Sequence, residues 1–492
     1  MRRFQMLING ERVDAADGQT FASLDPFRGE DWAEIPRGAK ADADRAVAAA
    51  HAAFEDGPWR RMHPGERGAL MRRLAALIAE NAEELAEIEV NDNGKLVAEM
   101  GGQLRYIPKW YDYFSGLADK IQGAVIPIDK PDMMNFTRRE PLGVCVAITA
   151  WNSPLLLAAY KLAPGLAAGN TFVLKPSEHA SASSLAFAGL FEKAGFPPGV
   201  VNVVSGFGPE IGEALITHPD VAKVSFTGSE RTGRHIYAAA ARDLKRVTLE
   251  LGGKSPNIVF ADADLDNAAN GVISGIFAAG GQTCIAGSRL LVQESVHDEF
   301  MERLRGIAGN VRMGDPHSTE TQLGPMANRP QYEKVLSYLD IARDEGAKCI
   351  AGGTAASRPE CGRGIFIEPT IFVDVNNDMR IAREEVFGPV LSVIRFRDAD
   401  EAIRIANDTP YGLASGAWTR DMRTALTMSN ELRAGTVWVN TYRAVSYLSP
   451  FGGYKASGLG RENGLEAIEP WLQTKSVWLS TAESVPNPFV MR

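Results

Sequence analysis

The chain is poor in the residues that would make it a disulfide scaffold or a metal protein. Four cysteines are spread over 492 residues with no CxxC pair, which excludes a disulfide framework. The seven histidines are scattered, without HxxxH or a Cys/His cluster at ligand spacing, so no bound metal is expected. No apolar run approaches the ~20 residues of a membrane helix. There is no basic block either: 52 basic residues face 61 acidic ones, a net charge of −9, and nucleic acid is not an expected partner. Met1–Gly10 has charges with only a few apolar residues behind them, too few for a signal-peptide core. A cytoplasmic location is the default expectation.

What is present is an ordinary globular composition, 45% hydrophobic and 23% charged, on a chain too long for one core. Two or three domains are expected. Helical periodicity dominates the first hundred residues, with helices over 41–54 and 64–90, the second continuous or broken. Segments 122–128 and 135–139 read as two strands of a ribbon. An isolated ribbon is marginal in water, so it pairs either with its own chain or with a subunit partner.

Between Gly143 and Phe260 strands and helices alternate. Strand-like runs cover 144–149, 171–175, 200–204, 221–227, 247–251 and 257–260; helix-like runs cover 155–168, 180–194, 209–217 and 231–241. Regular alternation implies a parallel sheet with helices on both faces. Ligands of such sheets bind beyond the carboxyl ends of the strands. A second mixed α/β stretch runs from about 261 to 455.

Several short segments carry candidate chemistry. Gly206-Phe207-Gly208-Pro209-Glu210-Ile211-Gly212 follows a strand as GxGxxxG, one residue longer than the dinucleotide fingerprint; a plain turn explains it about as well. Phe226-Thr227-Gly228-Ser229 is a second strand-to-helix entry, and helix N-termini favour diphosphates. Lys175 and Glu178 close a strand as Lys-Pro-Ser-Glu, either as a solvated turn or as ligands of a ribose. A carboxylate there accepts from a 2′-hydroxyl and repels a 2′-phosphate, favouring NAD over NADP.

Of the cysteines, Cys145 reads as a buried strand residue, Cys349 as the start of a short strand and Cys361 as a loop residue. Cys284, in Gly280-Gly281-Gln282-Thr283-Cys284, is flanked by glycines that let a substrate approach, although a lone cysteine is ordinarily structural. A nucleophilic thiolate suits aldehydes, because the adduct expels hydride and leaves a thioester. Alternation puts Glu250 and Thr248 on the strand face opposite Val247 and Leu249. Glu250 is either solvated or, in a partly apolar pocket, a base near neutral pH. Asn152 forms a turn or aims an amide N–H at an oxyanion.

Taken together, Ala150-Trp151-Asn152, Lys175-Pro176-Ser177-Glu178, Phe226-Thr227-Gly228-Ser229, Glu250-Leu251-Gly252-Gly253-Lys254, Gly281-Gln282-Thr283-Cys284 and Glu384-Glu385-Val386-Phe387-Gly388-Pro389 resemble the aldehyde dehydrogenase superfamily in order and separation. The resemblance covers nearly the whole chain. It implies Cys284 as nucleophile, the Asn152 amide and Cys284 N–H as oxyanion hole, and Glu250 as base for the water that hydrolyses the thioester. Lys161 and Glu462 match positions linked to proton movement. Lys175 and Glu178 would hold the adenosine ribose, Ser229 the diphosphate, Glu385 and Phe387 the nicotinamide ribose and ring. Ile148, Trp151, Gly208, Gly212, Phe226 and Leu251 would complete the NAD cleft. The substrate tunnel would comprise Ser153, Leu157, Tyr160, Thr283, Ile285 and Tyr442, with the loop that follows.

The implied fold is α/β, with a doubly wound, Rossmann-like parallel-sheet cofactor domain (1–120 and 142–252) and a second α/β catalytic domain (253–455). A small β oligomerisation arm (121–141 and 472–492) would build homodimers or homotetramers. Ala150 stands where proline is common and Ser153 where an aromatic is frequent, a departure that touches the tunnel lining. Arg443 either pairs with a substrate carboxylate, pointing to a semialdehyde acid, or faces solvent. The competing functions are a CoA-acylating semialdehyde dehydrogenase, which generally lacks the glutamate base, and a catalytically silent member.

Overall fold

Apolar runs rich in β-branched residues form strands wherever both faces can be covered. Val144–Thr149 and Thr171–Pro176 are buried at every position. The helix between them, Pro154–Ala168, begins with proline in its first turn and stops at Gly169, whose φ of +97° ends it. All of its residues except Leu156 are buried, so Lys161 is carried into the interior by the helix that holds it.

A computed structural model describes residues 1–485 together with Asn487 and Phe489. These elements belong to an eight-stranded sheet. Its parallel centre runs, in spatial order, Arg246–Glu250, Val221–Thr227, Val144–Thr149, Thr171–Pro176 and Val201–Val203. The chain proceeds outward from Val144–Thr149 in one direction, then returns to build the other side. That reversal creates a crevice at the carboxyl ends of Val144–Thr149 and Val221–Thr227, the usual ligand position of such sheets.

A seven-stranded sheet follows, with Pro256–Val259 among its central strands, parallel to Arg289–Gln293 and Ala414–Trp418. The run near 257–260 therefore continues the alternating pattern in sequence but not in the sheet. Gly252 and Gly253 separate it from Glu250, and its partners lie far along the chain. The helical reading of the first hundred residues holds only from Lys40 onward. Five strands precede it, from Arg2–Arg3 to Glu30–Pro36; three have only two or three residues, and the two longer ones, Thr20–Asp25 and Glu30–Pro36, mix charged and polar residues with few β-branched ones. The 64–90 region is two helices, Pro64–Glu80 and Ala82–Asn93.

The ribbon is Val125–Ile126 against Met133–Pro141, and it pairs with its own chain: Leu472–Ser480 lies antiparallel to Met133–Pro141 in continuous register. Val125, Met134, Trp478 and Leu479 remain exposed on this three-stranded sheet. Pro486, Pro488, Val490, Met491 and Arg492, the end of the arm read from the sequence, lie outside the described residues. Among the described residues no helix is long and apolar enough to cross a membrane.

Candidate active site

The loop bearing Cys284 is shaped by three successive left-handed residues, Ala279, Gly280 and Gly281, with φ of 55°, 62° and 68°. A Cβ on Gly281 would lie 2.1 Å from the Gly388 carbonyl oxygen, so only glycine lets this loop rest on the Glu384–Pro389 segment. Gln282 pins the loop: its Nε2 donates to the Ala279 carbonyl and its Oε1 accepts from Ala327 N at 2.9 Å. Glu99 accepts from Ala279 N at 2.9 Å. Cys284 stands half-buried beyond these anchors, whereas Cys145 and Cys361 are buried and Cys349 points its thiol at the Ala351 carbonyl. Burial pushes the Cys284 thiol up to about 12, with the Glu385 and Glu250 carboxylates adding to the effect.

Asn152 follows the strand Val144–Thr149 by a short turn. Its Nδ2 donates to the Gln282 carbonyl at 3.0 Å, which fixes the amide beside the cysteine loop and, among the described residues, leaves its second N–H without a partner. Residues of the preceding helical layer clamp this turn. Asn93 Nδ2 donates to the Trp151 carbonyl at 3.3 Å, Glu89 accepts from Leu155 N at 3.1 Å, and Lys95 Nζ donates to the Ser153 hydroxyl at 3.1 Å. Ser153 in turn donates to the Asn152 carbonyl at 2.7 Å. Sequence reasoning missed Glu89, Asn93 and Lys95. A polar stretch at a helix end, closed by Gly94 with φ +70°, has the signature of an ordinary C-cap.

Glu250 is close enough to Cys284 for its charge to act on the thiol. It is 4% exposed and, among the described residues, its Oε2 has no hydrogen-bond partner. Burial holds its carboxyl well above the ordinary range, and the charge of Glu462 raises it further; Lys161 and Arg461 act against this. Lys161 and Glu462 are themselves a buried ion pair at 2.5 Å. The structure thus groups a base candidate, an acid and an ammonium in one closed space, and the Gly458–Leu459 strand paired with Leu249 and Glu250 closes it.

The crevice holds the residues assigned to a nucleotide. Lys175, 2% exposed, donates to the Pro176 carbonyl at 3.0 Å and lies 3.6 Å from Glu178. Burial lowers its pKa, while Glu178 opposes the shift. Gly208–Gly212 forms a π-helical turn leading into Glu213–Thr217, the local wide turn that accommodates the extra residue of GxGxxxG. Ser229 caps Glu230–Arg242 by accepting from Thr232 N at 3.3 Å. Ile148, Phe226 and Leu251 are buried strand-end residues.

Glu385 accepts from Gly253 N at 3.0 Å, and burial raises its pKa. A Cβ on Gly252 would fall 2.4 Å from Glu385 Oε2. Trp151 and Phe387 meet edge to face at 5.2 Å, Phe387 having a φ of 60°. Gln331, another residue not found from sequence, donates to the Val386 and Phe387 carbonyls. Among the described residues, the buried hydroxyls of Thr149 and Thr227 at the strand ends lack partners. Hydroxyl donors unpartnered among the described residues, the N-terminus of Glu230–Arg242 and the carboxylates of Glu178 and Glu385 are groups that fit a dinucleotide.

On the aldehyde side, Tyr160 stacks on Trp110 at 5.2 Å, and Tyr447 packs against Trp110 and Tyr106. Leu157 lies on the same helix as Tyr160, while Thr283 and Ile285 flank Cys284. Tyr442 is a support: its hydroxyl donates to the Ile285 carbonyl at 3.1 Å. Tyr106 and Trp110 carried no sequence signal beyond helical aromatic spacing.

Comparison with known proteins agrees with this geometry. A sequence model described as "Aldehyde dehydrogenase family" matches residues 13–477. A relative from Acinetobacter baylyi, named (Z)-2-((N-methylformamido)methylene)-5-hydroxybutyrolactone dehydrogenase, is 48% identical over 100% of both chains. Human mitochondrial aldehyde dehydrogenase is 46% identical, covering 96% of this chain and 91% of that one. Betaine aldehyde dehydrogenase from Staphylococcus aureus, solved in complex with NAD+, superposes with a TM-score of 0.97 at 39% identity, covering 99% of this chain and 96% of the other. The chain belongs to the aldehyde dehydrogenase family.

Proposed function

We propose that this protein oxidises an aldehyde to a carboxylic acid with NAD, through a thioester on Cys284 that Glu250-activated water hydrolyses. The observation that carries the reading is the half-buried Cys284, with the Asn152 amide fixed to its loop and a buried Glu250 carboxyl, one oxygen unpartnered among the described residues, close enough to act on the thiol.

In this mechanism Cys284, its thiol proton released to solvent, attacks the aldehyde carbon as the thiolate. The second Asn152 N–H and the Cys284 backbone N–H stabilise the oxyanion of the thiohemiacetal. Lys175, Glu178, Ser229 and Glu385 hold the cofactor; bound NAD+ supplies the acceptor for the hydride that leaves the carbon. Glu250 takes a proton from water as that water attacks the thioester, and Lys161 and Glu462, which lie beside it, relay that proton away. Cys284 leaves and the acid is released. The Glu178 carboxylate disfavours a 2′-phosphate, which supports NAD over NADP. The exposed apolar arm around Trp478 and Met134 supports assembly as a dimer or tetramer.

Two relatives supply substrate leads of opposite charge. Betaine aldehyde is a quaternary ammonium cation, whereas a 5-hydroxybutyrolactone is the ring-closed form of a 4-oxo acid. The test of the reaction itself is cofactor reduction by the purified protein with aliphatic, aromatic, cationic and carboxylated aldehydes. NAD and NADP are run separately, with and without CoA, and Cys284→Ala is the control. NAD-dependent activity without CoA, absent from the variant, is the expected result. Oxidation only in the presence of CoA would overturn the role of Glu250.

A further inference from the structure

Resting on the reaction above, we propose that the aldehyde pocket selects substrates carrying a carboxylate, and that Lys95 and Arg443 are the groups that recognise it. Lys95 is 5% exposed, yet among the described residues it makes no ion pair; the acceptor of its ammonium is the neutral Ser153 hydroxyl at 3.1 Å. A buried ammonium held by one hydroxyl has donors to spare. Ser153 adjoins Asn152, so this cation is placed next to the oxyanion hole, and it also feels the charge of Cys284.

Arg443 lies on the loop after Thr436–Val439, close enough for its charge to act on Lys95. It is half-buried, takes a φ of 66°, donates to the Ser274 carbonyl at 3.2 Å and makes no ion pair among the described residues. It directly follows Tyr442, which holds the Ile285 carbonyl of the cysteine loop. The two cations repel each other: Lys95 is lowered to about 8, first by burial, with Arg443 adding to the effect and Glu99 and Glu89 opposing it. Among the described residues neither carboxylate is in ion-pair contact with Lys95 or Arg443, although the Oε2 of each has no hydrogen-bond partner there. Glu99 accepts from Ala279 N, and Glu89 from Leu155 N and the Ser183 hydroxyl. Burial also pushes Glu89 up to about 7, so it is a weak counter-charge near neutral pH.

Two like charges brought to one pocket are costly unless an anion joins them. A substrate carboxylate supplies that anion and accepts charge-assisted hydrogen bonds from both. The small Ser153 matters here, since an aromatic at this position would take up space beside the ammonium. The aromatic wall of Tyr106, Trp110 and Tyr447 offers π faces that would suit a cationic aldehyde, but Lys95 and Arg443 act against one.

The experiment measures kcat/KM with NAD for 4-oxobutanoate, pentanal and betaine aldehyde, in the wild type and in Lys95→Met, Arg443→Met, Lys95→Arg and Arg443→Lys. The quantity read is the ratio of 4-oxobutanoate to pentanal, which is insensitive to general damage to the site. The wild type should favour 4-oxobutanoate at least tenfold over both others. Each methionine variant should cut the ratio at least tenfold, mainly through KM, and the charge-retaining variants should recover part of it. A ratio unchanged in both methionine variants, or a wild type that prefers pentanal or betaine aldehyde, overturns the inference while leaving the reaction intact. Failure to oxidise any of the three and the wider aldehyde panel overturns both.

Discussion

At the scale of single residues, Glu250 is the group whose surroundings say most. Its carboxyl is buried, beside Glu462, and held well above the ordinary range. A base with a raised pKa is protonated and idle at low pH, so thioester hydrolysis should rise with pH as Glu250 ionises. In Glu250→Gln, pre-steady-state kinetics should retain a burst of reduced cofactor, with the steady rate down ~10²–10⁴-fold and the pH-dependent limb gone. Asn152→Ala should slow formation of the reduced cofactor itself by ~10²–10³-fold, visible in the burst phase. The contrast assigns one residue to each half of the reaction. Cys284, Asn152 and Glu250 were legible in the sequence because each sits in a recognisable segment. Their environments were not: Glu250 is closed in by Gly458–Leu459 and by Lys161 from a distant helix, and local alternation carries no trace of either.

At the scale of elements, positioning depends on short connections. The reach from Gly253 N to Glu385 exists because Gly252 has no side chain; a Cβ there would fall 2.4 Å from the Glu385 carboxylate. Because Glu385 ends in a flexible carboxylate, Gly252→Ala should leave the thermal midpoint nearly unchanged while raising KM for NAD about tenfold or more, read by initial rates and calorimetry. An equal loss in aldehyde affinity with unchanged KM for NAD would contradict this. The strands Val144–Thr149 and Val221–Thr227 match their sequence reading end to end, since long apolar β-branched runs speak for themselves. The strands before Lys40 do not, being either two or three residues long or, like Glu30–Pro36, broken up by charged residues, and Pro256–Val259 looks continuous with the first sheet although its partners lie in the second. The clamp formed by Glu89, Asn93 and Lys95 was equally hidden, because polar residues near a helix end normally face water.

At the scale of the whole molecule, buried carboxyls link stability to pH. Burial holds Glu89 at about 7 and Asp92 at about 6, both above their unfolded values. Groups of this kind contribute stability that is complete below the ordinary carboxyl range and is lost as pH rises through those values. Thermal unfolding of the wild type should therefore weaken from pH 5 to pH 8 by more than that of Glu89→Gln; identical slopes would contradict the assignment. The two sheets meet at the Gly252–Gly253 connection, so the cofactor crevice and the cysteine loop come from different layers. Only their joint placement makes a reaction. The measurement that tests it most directly is the intact mass of Glu250→Gln, with peptide mapping, after mixing with NAD and an aldehyde the wild type oxidises. The account predicts an acyl group on Cys284, adding the mass of the aldehyde less two hydrogens, in proportion to the burst of reduced cofactor. Reduced cofactor formed with no adduct on Cys284 would contradict it.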